Sequence, residues 1–426
     1  MSEVFGRIDP SWSSWVTIPE DSDFSLQNLP YGVFKNSEGD YRTGLAIGSQ
    51  IVDLYQLAQK GYLSSILDDS QLFANQYLND LISKGKKVTN GIRVRVATLL
   101  KEGDSELKDN ISDVESILID QSDVTMQLPV HIGDYTDFYS SLDHAKNVGT
   151  MFRGAENAIM PNWKHLPVGY HGRASSIVAS GTNIKRPKGQ TIAQESNTPD
   201  FGPSKLMDFE LEMGFVTGKS TQLGTSVVMD KAEDYIFGLV LFNDLSARDI
   251  QKWEYVPLGP FLGKNFGSVM SPWIVVLEAL EDFRVDGYTQ EPKVLPYLQY
   301  SGKKNYDIPL TVELETPSGN NKMLCKSNFK YMYWNMCQQL VHQTINGCNI
   351  NVGDLYASGT ISGPDPQEFG SMLELTWRGS KPIEMPDGSQ RKFINDNDTI
   401  IMKGCAEKDG LRIGFGECRT KILPAD

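Results

Sequence analysis

Cysteine and histidine are scarce in this sequence, five of each in 426 residues. Cys325, Cys337, Cys348, Cys405 and Cys418 are odd in number, widely spaced and hold no C-x-x-C pair. That pattern argues against a disulfide framework or zinc site and for reduced thiols in a cytoplasmic protein. The histidines, at 131, 144, 165, 171 and 342, are not paired at zinc spacing, so a soft-metal centre is not expected. No apolar run is long enough to span a bilayer, and residues 1–30 are polar and acidic without the apolar segment of a secretory signal. Positive charge is also in deficit. The net charge of −14 argues against a nucleic-acid or anionic-membrane partner. It leaves room for an anionic substrate, because local charge in a cleft can oppose the net charge.

What is present is ordinary globular composition, 40% hydrophobic and 22% charged, in a chain long enough for two domains. Residues 31–54 read as short strands separated by turns at Asn36-Ser37-Glu38-Gly39-Asp40 and Gly48-Ser49. Residues 55–102 read as helical, and the acid-rich 103–124 as a linker. The domain boundary is placed near Leu128, dividing the chain into 1–127 and 128–426. Beyond His131 the chain is dense in glycine, proline and aromatics. Strands are expected at 177–180, 206–217, 236–243, 273–278, 309–314, 354–358, 372–377 and 398–402, and a helix over 327–344 ending at Asn346-Gly347. The fold class is mainly β with some α, and its long loops are where function tends to sit.

One stretch stands out. In Met207-Asp208-Phe209-Glu210-Leu211-Glu212-Met213-Gly214-Phe215, apolar residues alternate with Asp208, Glu210 and Glu212. This is the period-two pattern of a strand. Like charges in one row repel, and more so when buried. Either this face is open to water or something positive lies on it.

Other segments offer chemistry. An apolar run ends in Asn243-Asp244 and leads into a helix expected over 245–255, where Arg248, Gln251 and Tyr255 share a face. Lys264 lies in a glycine-flanked, mostly apolar loop. Upstream, the segment from Asp137 to His144 is expected to be helical, which would put the two on one face, with Arg153 next along the chain. Ser358-Gly359-Thr360-Ile361-Ser362-Gly363 can offer backbone N–H groups to an anion, or be a plain turn. Glu374 is expected on a strand over 372–377. Asp137, Glu210, Glu212 and Asp244 form a set of oxygen donors from separate segments. Such a set without Cys or His suits Mg2+ or Ca2+, with Mn2+ a further option.

Taken together, several strings resemble the fumarylacetoacetase family. They are Ile132-Gly133-Asp134-Tyr135-Thr136-Asp137-Phe138-Tyr139-Ser140-Ser141, Leu166-Pro167-Val168-Gly169-Tyr170-His171-Gly172-Arg173-Ala174-Ser175-Ser176, Asp208-Phe209-Glu210-Leu211-Glu212-Met213, Ser246-Ala247-Arg248-Asp249-Ile250-Gln251, residues 253–264 and residues 357–363. The resemblance runs from Glu20 almost to the C-terminus. It implies a small SH3-like N-terminal barrel, a large mixed β-roll C-terminal domain and a homodimer. It further implies hydrolysis of the carbon–carbon bond of 4-fumarylacetoacetate, a small dianionic diketo acid, to fumarate and acetoacetate, the last step of tyrosine and phenylalanine breakdown. By matching motif, Asp137, Glu210, Glu212 and Asp244 would bind metal, with Lys264 and Ser268 linked to a magnesium position. His144 would be the base, held by Glu374. Arg248, Gln251 and Lys264 would stabilise developing charge, and Tyr139, Arg153, Tyr170, Gln251, Tyr255 and Thr360 would contact substrate. Two positions depart from the animal members: Ser268 replaces threonine, keeping the hydroxyl, and Leu245 replaces tryptophan beside Asp244.

Overall fold

The computed structural model describes residues 5–193 and 196–426. The chain is mainly β with some helix, as its sequence predicts. Near the N-terminus, Tyr31–Lys35, Tyr41–Ile47, Gln50–Asp53, Leu118–Asp120 and Thr125–Met126 form one antiparallel sheet, the last of them pairing with the first. The expected turns at 36–40 and 48–49 join the first three strands. Asp53 starts the helix Leu54–Gln59 by accepting hydrogen bonds from the Tyr55 and Gln56 amides. The helix Lys86–Leu100 packs a buried stripe of Ile92, Val96, Leu99 and Leu100 into the core. The segment expected as a linker is partly ordered as the helix Ile111–Ile117 and the edge strand Leu118–Asp120. Ile117 is fully buried and anchors it.

The rest of the described chain holds two large sheets and four two-stranded ones. The first runs in the order Gly169–His171, Tyr135–Phe138, Leu355–Ala357, Leu211–Thr217, Ile236–Asp244, Ser268–Met270, Ile177–Ala179, with Val275–Val276 also on Ile236–Asp244. The second runs Asn321–Asn328, Pro309–Glu315, Thr399–Lys408, Leu411–Leu423, Ile184–Lys185. Where they meet, Gly404 faces Leu310, Leu241 and Phe415. A Cβ there would lie 2.8 Å from Leu310 Cδ2 in the same sheet and 3.1 Å from Leu241 Cδ2 of the other, so a side chain at this position would make both leucines shift.

Register in the first sheet decides which acids share a face. Leu211 pairs with Asn243, Glu212 with Phe242, Asp244 with Ser268, and Asp137, in parallel, with Ala357. Paired residues share a face and alternate residues return to it. Asp137, Glu212, Asp244 and Ser268 therefore project from the same face at one end of the sheet.

Several expected elements differ. Asp137 lies on a strand, not a helix. The helix begins at Leu142, because Ser141 is its N-cap and its hydroxyl accepts from the His144 amide at 3.2 Å. The strand expected over 372–377 is the short helix Met372–Leu375, again capped by serine, Ser371. The helix expected over 327–344 spans only Met336–Thr344. Asn335 and Gln338 make a capping box there, and residues up to Asn328 belong to a strand. The helix expected from Leu245 starts at Arg248, since Ser246–Ala247 pairs with Met207–Asp208. The row of acids at 208, 210 and 212 does not face water. Their exposures are 0%, 5% and 0%.

Candidate active site

The four expected metal ligands converge. Asp137, Glu210, Glu212 and Asp244 are all buried, and one carboxylate oxygen of each lies within 4.8 Å of the others. Glu210 and Glu212 come from one extended segment, and Asp137 and Asp244 from other strands of the same sheet. The positive counterpart is Lys264 with Arg248. The Lys264 ammonium bonds Glu210 Oε2 and, at 2.6 Å, Asp244 Oδ2. Arg248 Nη1 lies 2.6 Å from Glu210 Oε1. Burial works against ionising Glu210, but these cations overturn it and hold its pKa at about 2. Burial also disfavours the Lys264 charge, yet Asp244, Glu210 and Asp137 raise its pKa, so it remains a cation.

The cluster remains short of positive charge. Burial, then the neighbouring carboxylates, push Asp137 and Glu212 well above the usual carboxylate range. Among the described residues Asp137 Oδ1 and Glu212 Oε1 are buried without a hydrogen-bond partner. Glu212 Oε2 accepts only the Gly359 amide, at 3.1 Å. Gly359 can approach because it has no side chain: its φ is +77° and a Cβ would sit 2.2 Å from the Phe138 carbonyl. Unpartnered oxygens in an all-oxygen donor set fit a hard divalent cation. Ser268 Oγ donates to Asp244 Oδ1 at 2.7 Å, and Tyr170 donates to Asp244 Oδ2 at 3.2 Å.

His144 is 4% exposed, and its Nδ1 lies 2.7 Å from Glu374 Oε2. Glu374 is fully provided with donors. Asn147 donates to Oε1 at 2.9 Å, Ser371 to Oε2 at 2.8 Å, and Ser362 to both oxygens. Burial works against its ionisation, but His144 and these hydrogen bonds hold its pKa below the ordinary value. With Nδ1 bound to the carboxylate, Nε2 is the nitrogen left to accept a proton. The Tyr139 ring stands edge-on to the imidazole, 5.2 Å between centroids.

A cavity of about 320 Å³, which neither His144 nor Glu374 lines, is formed by Val148, Phe152, Arg153, Arg248, Gln251, Lys252, Tyr255 and Leu373. It holds three cations and no acid. Arg248 Nη2 is buried without a partner among the described residues, while Nε is taken by Asp208 and Nη1 by Glu210 and Gln251. Arg153, on the rim, donates to the Asn157 and Ala158 carbonyls. Tyr255 is half exposed at the mouth. Three of the expected substrate contacts lie elsewhere: Tyr139 stands against His144 and lines neither this cavity nor the next. Tyr170 lines a second cavity of about 220 Å³ with Lys264, Asp244 and Ser268, and Thr360 is buried beside Gly370 and lines neither cavity.

The residues that sequence reading passed over are Asn147, Ser362, Ser371 and Lys252, and Asp208 beyond its place in the acidic row. Two of them left signals. Asn147 is three residues beyond His144 on one helix, hence on the same face. Ser371-Met372-Leu373-Glu374 is the S-x-x-E signature of a helix start.

The fumarylacetoacetate hydrolase C-terminal family profile matches residues 134–423, and the fumarylacetoacetase N-terminal profile matches residues 27–129. Among relatives, a fumarylacetoacetase of Caenorhabditis elegans is 53% identical over 418 residues, covering 97% of this chain and 99% of the relative. A fumarylacetoacetase of Homo sapiens is 52% identical over 416 residues, covering 97% and 99%. Among solved structures, a fumarylacetoacetate hydrolase from psychrophilic Exiguobacterium antarcticum shares the fold, with TM-score 0.52 and 16% identity over 93% of this chain and 99% of that one. With its two family profiles and its long relatives in agreement, this chain belongs to the fumarylacetoacetate hydrolase family.

Proposed function

We propose that this chain is a fumarylacetoacetase, hydrolysing the carbon–carbon bond of 4-fumarylacetoacetate to fumarate and acetoacetate, the last step of tyrosine and phenylalanine catabolism. Support for the substrate comes from the full-length likeness to fumarylacetoacetases. One observation carries the chemistry: the 2.7 Å contact of His144 Nδ1 with Glu374, which leaves Nε2 as the nitrogen that can act as a base.

His144 takes a proton from water, whose oxygen adds to the carbonyl carbon on the fumaryl side. Glu374 fixes the imidazole tautomer and stabilises the imidazolium. The carbon–carbon bond then breaks. Its electron pair stays with the acetoacetate fragment, and the proton held by His144 passes to that carbon. Arg248 through its spare Nη2, with Gln251 and Lys264, faces the negative charge that develops. Asp137, Glu210, Glu212 and Asp244 would hold a hard divalent cation, Mg2+, Ca2+ or Mn2+, which when bound supplies Lewis acidity to a 1,3-diketone. Lys264 and Ser268 act beside that position through their bonds to Asp244.

Arg153 and Tyr255 clamp a substrate carboxylate, and Tyr139, Tyr170 and Thr360 complete the surroundings. Three cations around one cavity explain how a chain of net charge −14 binds a dianion. The division between units falls near Leu128, and the working form is a cytoplasmic homodimer. Among the described residues no helix is long and apolar enough to cross a membrane.

The test is a spectrophotometric assay of fumarylacetoacetate loss set against acylpyruvates. Turnover of fumarylacetoacetate well above that of any acylpyruvate is expected; the reverse order rejects the reading.

A further inference from the structure

Asp208 neither belongs to the four-acid cluster nor lines the cavity, yet it is fully buried and joins the two halves of the site. Its Oδ2 accepts from Arg248 Nε at 2.8 Å and from the Leu373 amide at 3.0 Å, and its Oδ1 accepts from the Met372 amide at 2.6 Å. Those amides open the short helix Met372–Leu375, whose third residue is Glu374. The backbone braces both sides of this contact. Asp208 pairs with Ser246, two residues before Arg248, the Arg248 amide donates to the Leu206 carbonyl, and Glu210 bridges to Ser371. Two lines of contact thus leave one carboxylate. One runs through Arg248, whose Nη2 is buried and unpartnered among the described residues and whose side chain lines the cavity. The other runs through two backbone amides to Glu374 and His144.

We infer that Asp208 is a positioning residue that sets the Arg248 guanidinium and the His144–Glu374 pair relative to one another, an inference that rests on the hydrolase reading. A guanidinium can turn about its long side chain. Holding Nε from one side and Nη1 from the other fixes which nitrogen is left for the reacting charge. A few tenths of an ångström matter, since preorganised donors act only where charge develops. No amide replaces this carboxylate. With asparagine, the Nδ2 group must face either the Met372 amide or the Arg248 Nε and Leu373 amide, a buried donor against a donor.

The test uses the full chain with divalent cation present and two variants, Asp208→Asn and the smaller Asp208→Ser, which places no fixed donor. We expect kcat to fall about 100-fold, the loss typical of one misplaced charge-stabilising donor, with KM within about threefold. In Arg248→Met or Glu374→Gln backgrounds the further loss should shrink to about tenfold or less, because the groups act as a unit. A crystal structure of Asp208→Ser should show the guanidinium turned and residues 372–375 shifted. Wild-type kcat, or the same fold-loss in all three backgrounds, overturns the inference, as does an unmoved guanidinium and helix. Wild-type protein run in parallel separates the two readings. If it does not turn over fumarylacetoacetate, the hydrolase reading fails, while the crystal structure still decides whether Asp208 holds both groups.

Discussion

Two buried glutamates a few side chains apart have opposite fates. Glu374 receives hydrogen bonds from Asn147, Ser362 and Ser371 and touches His144, and its carboxyl is held below its ordinary pKa. Glu212 receives a single backbone amide, leaves Oε1 unpartnered and faces Asp137, Glu210 and Asp244, and its carboxyl is pushed well above the ordinary value. The first corner is electrostatically complete within the chain. The second is complete only when something positive joins it. Burial alone is therefore not what marks the metal position; the missing donors are.

Breaking the complete corner should have the largest effect. His144→Ala is expected to lower kcat by about 1,000-fold or more with metal stoichiometry unchanged, as read by steady-state kinetics and calorimetric titration. Retained turnover removes the base from His144. Next, the same substitution in each corner should act with opposite sign on metal-free protein. Glu374→Gln sets a donor against donors and should destabilise by about 1–3 kcal/mol. Glu212→Gln removes a buried acid that must take up a proton to fold and should raise the thermal midpoint near neutral pH, while weakening metal binding by about 100-fold or more. Denaturation in chelator, then titration with calcium, reads both; equal signs would erase the contrast between the two corners.

The pH dependence sharpens the same contrast. Asp137 and Glu212 keep protons in the folded state that the unfolded chain gives up at about pH 4. Their contribution is full below that pH and is lost as pH rises toward their folded values. Glu374 runs the other way: its contribution is present above the unfolded value and lost as pH falls through the folded one. Metal-free protein should thus lose thermal stability from pH 5 to 8, and added magnesium or calcium should flatten the slope by replacing protons. Differential scanning calorimetry in both conditions checks this. The smallest effect is expected from Asn147→Ala. Glu374 Oε1 still accepts from Ser362, so a loss of about 1 kcal/mol, near fivefold in kcat, should result.

Much of this was legible in the sequence. Alternation along 207–215 announced extended chain, which the structure divides into Met207–Asp208 and Leu211–Thr217, and the residue types singled out the four acids; that they meet depends on a strand register the sequence does not give. Local capping was where reading failed. Asp137 looked helical because the cap that starts the helix, Ser141, was not recognised as its boundary, and Glu374 looked like a strand residue because Met372, Leu373 and Leu375 are apolar. Contacts such as Asp208 with Met372 span 164 residues and leave no local pattern to read.

The most direct test strips the protein with a chelator and monitors fumarylacetoacetate loss while magnesium or calcium is titrated back. Activity should vanish on stripping and return in proportion to one ion bound per chain, with no return in Glu212→Gln at the same ion concentration. Full turnover by the stripped protein, with no ion bound, would contradict the assignment of the four-acid cluster.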